Sequence, residues 1–183
     1  MVKRKKLICV TGLPGAGKSL FCEIGKRLGY ELIIMGNQVR KEAENRGVGN
    51  DSESLSRLML ELRRERGNNV VANMCIDKIN EITNENIIID GIRNIEEIEL
   101  FTKVGNVKIL LISNTSEQRM KFLLERKRSD MPIDAEEFNR RDNKELEVGL
   151  GQVMERADII IENIGLTKEQ YAKKTESILH NLR

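Results

Sequence analysis

The sequence is poor in the side chains that stack on nucleic-acid bases and in those that bind zinc. Aromatic residues make up 3% of the 183 residues, and tryptophan is absent. This scarcity argues against the stacking platforms that single-stranded nucleic acids need. The one histidine, His180, and three widely spaced cysteines, Cys9, Cys22 and Cys75, provide no C-x-x-C pair. We therefore expect neither a zinc site nor a disulfide framework, and we expect a reduced, cytoplasmic protein.

An excess of one charge and a long apolar run are also missing. The 31 basic and 29 acidic residues leave a net charge of +2, so no overall field favours nucleic acid as a partner. The basic residues 3–6 precede an apolar run that covers only residues 7–11. That run is too short for a signal peptide or a membrane span. We expect a single domain over residues 1–183 with no membrane partner, and no pattern specifies an oligomeric state.

The most informative stretch is GLPGAGKS at residues 12–19. It matches G-x-x-x-x-G-K-[ST], the phosphate-binding loop, and it lies between a strand-like apolar run and an amphipathic helical run, as that loop requires. Its glycines let the backbone take positive φ angles and turn N–H groups toward an anion. We predict that ATP is bound by the eight residues of this loop: Gly12, Leu13, Pro14, Gly15, Ala16, Gly17, Lys18 and Ser19.

A magnesium site is predicted beside this loop. The Lys18 ammonium would contact the β- and γ-phosphates, and the Ser19 hydroxyl can bind Mg²⁺. Asp90 ends the apolar run of residues 86–90, a position from which a carboxylate can hold Mg²⁺ directly or through water. The alternative for Asp90 is an ordinary Asp-Gly turn. The loop in the same chain favours the metal role, so ATP and Mg²⁺ are the predicted cofactors.

Apolar runs typical of buried strands alternate with helical stripes along the chain. The runs cover residues 7–11, 31–35, 86–90, 107–113 and 157–162. They are continuous rather than alternating, which indicates strands with helices on both faces. The pattern predicts an α/β fold with a parallel, doubly wound sheet.

Several local features are predicted in more detail. Asn37 is predicted to cap a helix that starts at Gln38, and residues 44–51 are predicted to form a loop. Two capping boxes are predicted, one from Thr115 to Gln118 and one from Thr167 to Gln170. Three residues of the helix after Thr115 are expected to face the core: Met120, Leu123 and Leu124.

Two arginines are expected at strand ends near the phosphate-binding loop. Arg93 follows Asp90 by three residues, and Arg40 follows the second apolar run. Both positions belong to the carboxyl edge of the sheet, where open α/β sheets bind ligands. A planar guanidinium suits phosphate. Each arginine alone is better explained as a solvated surface residue, and the two together modestly favour phosphate binding.

A charge-dense stretch covers residues 125–142 and carries four further arginines: Arg126, Arg128, Arg140 and Arg141. One interpretation is a solvated helical hairpin in which neighbouring acidic residues pair with them. The other is a lid whose arginines close over the triphosphate and neutralise the charge of the moving phosphoryl group. The charge pattern favours neither.

The chain resembles nucleoside-monophosphate kinases, and most closely an archaeal adenylate-kinase-related family, over nearly its whole length. Residues 36–40, GNQVR, are similar to the G-D-x-x-R of adenylate kinases, and residues 90–93, DGIR, to their D-G-F-P-R. Arg128 and residues 140–142, RRD, resemble the lid arginines and the R-x-D that follows. Residues 157–165, ADIIIENIG, resemble the A-D-x-V-I-x-N-x-G ending of dephospho-coenzyme-A kinases.

The resemblance implies a P-loop NTPase fold whose five-stranded parallel sheet has the order 2-3-1-4-5. It implies an acceptor-binding segment at about residues 39–82 and a lid at about residues 126–141. The resemblance implies that Arg40 and Arg93 bind the acceptor's phosphate and that Asp90 belongs to the same acceptor-binding side. It also implies that Asn163 lies near the ATP base. The residues that would act on the transferring phosphoryl are Lys18, Arg93, Arg128, Arg140 and Arg141.

Three departures from the adenylate-kinase pattern bear on the acceptor. Asn37 replaces an aspartate, the proline of D-G-F-P-R is absent, and the glutamine that reads adenine has no counterpart after Asn94. We therefore expect transfer of the ATP γ-phosphoryl to a small nucleotide-like acceptor, a nucleoside monophosphate or a dephospho-coenzyme-A type, without support for AMP itself. A nucleotide-dependent switch that binds a partner is the main alternative, and an RNA-associated ATPase using the basic start is a weaker one. The choice between ATP and GTP is left open.

Overall fold

The computed structural model describes residues 4–125 and 134–183. Five strands form one all-parallel sheet in the order β2-β3-β1-β4-β5, which confirms the predicted sheet. The strands are β1 (Lys5–Thr11), β2 (Glu31–Ile34), β3 (Asn86–Asp90), β4 (Gly105–Ser113) and β5 (Ile159–Glu162).

The helices in the described residues are α1 (Lys18–Arg27), α2 (Met35–Arg46), α3 (Ser52–Arg66), α4 (Val70–Glu81), α5 (Ile95–Val104), α6 (Ser116–Glu125), α7 (Ala135–Glu147), α8 (Leu150–Glu155) and α9 (Lys168–Asn181). Within that part of the chain, none is long and apolar enough to cross a membrane.

Two apolar cores lie on opposite faces of the sheet because successive residues of a strand point to opposite sides. Leu7 and Cys9 of β1 pack with residues of α2, α3, α4, α5 and α8. Ile8 and Val10 pack with residues of α1 and α9. The central strand is buried from Leu7 through Thr11, so its carboxyl end is held rigidly from both sides.

The start of α2 differs from the prediction. The helix begins at Met35, directly after β2, and its N-cap is Ile34. Asn37 therefore lies inside the helix, where its side-chain oxygen accepts a hydrogen bond from Arg40 Nη1 at 2.7 Å. The prediction that Asn37 caps a helix was wrong. The loop predicted for residues 44–51 is also shorter, because α2 continues to Arg46 and the loop covers residues 47–51.

Only one of the two hydrogen bonds of the capping box predicted at the start of α6 is present. The Gln118 N–H donates to Thr115 Oγ1 at 3.3 Å, but the Gln118 side-chain oxygen accepts from the Gly165 N–H, so this interaction replaces the reciprocal bond of a capping box. Leu124, predicted to face the core, is 47% exposed. The capping box of Thr167 is confirmed at the start of α9. Helix α8 was not predicted.

Candidate active site

The phosphate-binding loop connects the buried end of β1 to α1. Gly12 has a φ of 138°, and a Cβ there would lie 2.3 Å from the carbonyl oxygen of Ile112. At Gly15, with a φ of 82°, a Cβ would lie 2.5 Å from the carbonyl oxygen of Arg119. Both positions combine a left-handed backbone with close backbone neighbours, so only glycine fits them. The loop is thus pressed against β4 and α6.

Side chains from outside the loop bind its carbonyl oxygens. Arg119 Nη1 donates to Pro14 O at 3.0 Å, Asn163 Nδ2 donates to Ala16 O at 3.0 Å, and the Tyr171 hydroxyl donates to Gly17 O at 3.2 Å. In a trans peptide the N–H points away from the carbonyl. The amides that follow these three carbonyls therefore point away from the side chains that bind the carbonyls, as the amides of an anion-binding nest do.

Lys18 and Ser19, the first two residues of α1, lie at the mouth of this nest. The Lys18 ammonium donates to Gly12 O at 2.5 Å and to Leu13 O at 3.1 Å. Ser19 is half-buried beside it. The structure therefore brings a positive charge, a hydroxyl and a helix N-terminus to one place, which is the arrangement that binds phosphate.

Asn163 is a buried residue that supports the phosphate-binding loop. Its side chain is 4% exposed, and its backbone N–H donates to Ser113 O at 2.9 Å. Tyr171 is buried next to it, and burial raises the pKa of its hydroxyl, so Tyr171 remains a hydrogen-bond donor. The proposed contact of Asn163 with the ATP base stays a prediction.

Asp90 lies at the carboxyl end of β3, beside the end of β1, since Asp90 pairs in register with Val10. Its Oδ1 atom is buried and has no hydrogen-bond partner within the described part of the chain. A buried carboxylate oxygen without a donor is costly, and a cation would satisfy it. Burial raises the pKa of the Cys22 thiol, Asp90 raises it further, and Lys18 lowers it. Asp90 and Lys18 thus act on the same part of α1.

Arg93 follows in the turn between β3 and α5, and a carboxylate from α7 binds its guanidinium. Nε and Nη2 donate to the two carboxylate oxygens of Glu145 at 2.6 and 3.2 Å, and Nη1 donates to Gly91 O at 3.1 Å. The charge of Glu145 raises the pKa of Arg93. Burial alone would raise the pKa of Glu145, but Arg93 and, more weakly, Lys18 hold it below its ordinary value.

A second, fully buried ion pair lies behind Arg93. Arg63 of α3 donates to Glu97 of α5 at 2.8 Å, and the two side chains are 6% and 0% exposed. The other oxygen of Glu97 accepts from the Arg93 backbone N–H at 2.7 Å. Burial raises the pKa of Glu97 and the charge of Arg63 opposes that shift. Helix α3 is therefore fastened to the turn that carries Arg93.

Sequence reasoning missed Arg119, which is 3% exposed on α6. Its two terminal nitrogens donate to the two carboxylate oxygens of Asp142 at 2.9 and 2.5 Å. Its guanidinium carbon also lies 4.7 Å from the ring centroid of Phe138. One signal was available: Arg119 precedes the buried Leu123 by one helical turn, so the two share a face.

The remaining arginines predicted for the site are more dispersed. Arg40 is exposed on α2, bound to Asn37. Arg140 is exposed on α7, while Arg141 is half-buried and lines a small cleft between α3 and α7. Arg128 lies outside the described residues. The contacts that α7 makes with Arg93 and Arg119 come from Phe138, Asp142 and Glu145. The phosphoryl-binding roles of the lid arginines stay predictions.

Comparison with protein families identifies relatives over nearly the whole chain. A family model described as an AAA domain matches residues 11–139. A UPF0200 protein of Thermococcus sibiricus is 38% identical over 182 residues, which cover 96% of this chain and 95% of the relative. A UPF0200 protein of Hyperthermus butylicus is 35% identical over 176 residues, covering 96% and 94%.

Solved structures share the fold at low sequence identity. TT1252 from Thermus thermophilus has a TM-score of 0.70 at 18% identity, covering 99% of this chain and all of the other. A dephospho-CoA kinase from Campylobacter jejuni has a TM-score of 0.54 at 17% identity, covering 97% of each chain. With the strand order and the loop, these similarities establish a P-loop kinase fold.

Proposed function

This chain belongs to the UPF0200 family, and from its P-loop kinase fold we propose that it is a Mg²⁺-dependent phosphotransferase. The reaction is transfer of the ATP γ-phosphoryl to a small, nucleotide-like acceptor that carries a phosphate group. One juxtaposition carries the proposal: the phosphate-binding loop follows β1, and Asp90 and Arg93 lie at and just after the end of the neighbouring strand β3. Among the described residues the buried Oδ1 atom of Asp90 has no hydrogen-bond partner. Phosphoryl transfer depends mainly on positioning and charge stabilisation, which these groups can supply.

The nucleotide side is supported by the loop and its fixed orientation. The loop amides and the N-terminus of α1 would bind the triphosphate. The Lys18 ammonium, which now donates to the carbonyl oxygens of Gly12 and Leu13, would instead contact the β- and γ-phosphates. The buried hydrogen bonds from Asn163 and Tyr171 to the loop carbonyls keep the amides in place before the ligand binds. Preorganised donors of this kind stabilise charge without reorganisation during the reaction.

Ser19 and Asp90 are the residues that would hold Mg²⁺. A hydroxyl and a carboxylate are the oxygen ligands that this ion takes in proteins, usually together with water. The ion would neutralise charge on the phosphates. The buried Oδ1 atom of Asp90, which has no partner among the described residues, fits this assignment.

The acceptor side is supported by the position of Arg93. It stands three residues beyond Asp90, at the edge of the sheet where α/β folds bind ligands. We place the acceptor's phosphate on Arg93, with Arg40 of α2 as a second candidate, and we place the transferring phosphoryl near Arg128, Arg140 and Arg141. In this proposal the chain is one P-loop kinase domain, with the acceptor-binding segment at about residues 39–82 and the lid at about 126–141.

The test is a coupled phosphotransfer assay with ATP and Mg²⁺. The acceptors are nucleoside monophosphates and dephospho-coenzyme A, with a reaction that contains no acceptor as reference. We expect one acceptor to accelerate ADP release well above the reference. The Lys18→Ala variant should lose about a hundredfold or more in turnover, because it removes a charge from the transferring phosphates. Lys26→Ala, on the exposed face of the same helix, is the matched control. Wild-type turnover in Lys18→Ala would refute the assignment.

A second function, a nucleotide-dependent switch, is favoured by one observation. The arginine assigned to the acceptor is bound by Glu145 of α7, so an internal carboxylate occupies the position that we give to the substrate. A switch would show slow ATP hydrolysis that no acceptor changes, and the same assay distinguishes the two functions.

A further inference from the structure

The carboxylate of Glu145 lies on the face of Arg93 that a phosphate would use. Nε and Nη2 of Arg93 donate to the two oxygens of Glu145, which is the forked arrangement by which arginine also binds phosphate. The carboxylate comes from α7, whereas Arg93 belongs to the turn after β3. Two separate parts of the chain are therefore joined through the Nε and Nη2 atoms of one guanidinium.

We propose that Glu145 is an internal substitute for the acceptor's phosphate and that it selects acceptors carrying a phosphate monoester dianion. Of the acceptors in the assay this favours a nucleoside monophosphate over dephospho-coenzyme A, whose two phosphates form a pyrophosphate diester. Binding of the dianion to Arg93 displaces Glu145 and releases the C-terminal half of α7 from the turn between β3 and α5. This inference rests on the proposed function for the identity of the ligand, since the phosphate it describes is that of the acceptor.

Arg93 stays in position when Glu145 leaves. Its Nη1 donates to Gly91 O, and its backbone N–H donates to Glu97. Glu97 is itself fixed by Arg63. These three interactions do not involve α7. They hold the backbone of Arg93 and one nitrogen of its guanidinium, which leaves Nε and Nη2 as donors for an incoming anion.

Exchange of the two anions is possible because the pair reaches solvent. The side chains of Arg93 and Glu145 are 25% and 20% exposed. A ligand can therefore approach the guanidinium without opening a core, and the released carboxylate can be hydrated. The buried pair of Arg63 and Glu97, at 6% and 0% exposure, offers no such exchange.

Competition with Glu145 provides selectivity. A carboxylate ligand offers Arg93 no more charge than Glu145 already does, and a neutral ligand offers less. A phosphate dianion brings more charge and the same pair of oxygens, so it gains most from the exchange. Glu145 therefore makes the site specific by excluding carboxylate and neutral ligands, which cannot displace it from Arg93.

The test is a titration with inorganic phosphate, followed through the Nε–Hε resonance of Arg93 in NMR spectra of ¹⁵N-labelled protein. The resonance is assigned from its absence in Arg93→Gln, and reading it at Arg93 separates this site from phosphate bound at the P-loop. If Glu145 occupies Arg93 in about nine of ten molecules, its removal tightens the apparent affinity about tenfold.

Glu145→Gln and Glu145→Ala should both show this tightening, so the result does not depend on one variant folding well. Glu147→Gln removes the same charge from an exposed position on α7 and should titrate like the wild type. Equal affinity in the wild type and both Glu145 variants would overturn the proposal. An equal change in Glu147→Gln would also overturn it, since the effect would then be one of net charge.

This titration requires neither ATP nor turnover. If no acceptor is found in the assay but the Glu145 variants bind phosphate more tightly, the competition at Arg93 stands and the kinase assignment fails. If an acceptor is found but the affinities are equal, the kinase assignment stands and the role of Glu145 is refuted.

Discussion

Two arginine–carboxylate pairs fasten α7 to the rest of the molecule, and they differ in burial and in partners. Asp142 binds Arg119 at 2.9 and 2.5 Å, with side chains 14% and 3% exposed. Glu145, three residues later, binds Arg93 at 2.6 and 3.2 Å, with side chains 20% and 25% exposed. Residues three apart share a helix face, so both pairs hold the same side of α7.

The difference indicates that one pair is permanent and the other releasable. Arg119 also donates to Pro14 O of the phosphate-binding loop and stacks on Phe138, so breaking its pair with Asp142 would leave a buried charge. Arg93 has access to water and to anions from solvent. An ion pair that is fully buried costs far more to break on one side than a pair that is partly exposed. We therefore expect α7 to stay attached at Asp142 when Glu145 is released.

The largest expected effect is that of Asp142→Asn. This variant keeps the size of the side chain but leaves the buried Arg119 guanidinium without its counter-charge, and we expect the free energy of unfolding to fall by about 3–5 kcal/mol. Urea unfolding followed by circular dichroism measures the loss. Glu136→Gln, in the exposed first turn of the same helix, should change stability by no more than about 0.5 kcal/mol. Equal losses in the two variants would show that the Arg119 pair contributes no more than a surface charge.

A smaller effect is expected for Glu145→Gln. Water can hydrate Arg93 when its partner loses its charge, so the free energy of unfolding should fall by only about 1 kcal/mol. The same urea experiment tests this, with Glu147→Gln as the control at an exposed site of the same helix. A loss as large as that of Asp142→Asn would mean that the Arg93 pair is also permanent, and it would remove the physical basis for anion exchange.

The sheet and the phosphate-binding loop could be predicted because they depend on local patterns. Continuous apolar runs and the glycine spacing of residues 12–19 are visible in the sequence, and a parallel sheet leaves few ways to place them. The strand order came from the resemblance to nucleotide kinases. The predicted start of α2 was wrong. Asn37 is a good N-cap residue by type, yet the chain enters the helix directly from β2 at Met35.

The two ion pairs that attach α7 could not be predicted, because each of them joins residues that are far apart in sequence. The sequence separation is 52 residues between Arg93 and Glu145 and 23 between Arg119 and Asp142. In a chain with 33% charged residues no local pattern identifies which arginine meets which carboxylate. The charge-dense region drew attention to its arginines, whereas the described part of α7 turns two of its carboxylates inward. Tertiary packing decides such contacts.

The smallest effect concerns the pH dependence of the Arg93 pair. Burial would raise the pKa of Glu145, but the Arg93 charge holds it below its ordinary value of 4.5. A carboxyl group whose pKa is lower in the folded state stabilises the protein above its unfolded pKa and loses that contribution as the pH falls through the folded value. The difference in unfolding free energy between the wild type and Glu145→Gln should therefore be constant from pH 7 to about 5 and shrink below pH 4.5.

Urea unfolding of both proteins at pH 7, 5, 4 and 3.5 measures this difference. The other carboxylates titrate in both proteins, so their contributions cancel in the comparison. Because the pair is partly solvated, the whole change is limited to the roughly 1 kcal/mol expected for the pair itself. A difference that grows as the pH falls would mean that the pKa of Glu145 is higher in the folded than in the unfolded protein. Burial would then outweigh the charge of Arg93, and the electrostatic attraction that a phosphate dianion is proposed to compete against would be too weak to select among ligands.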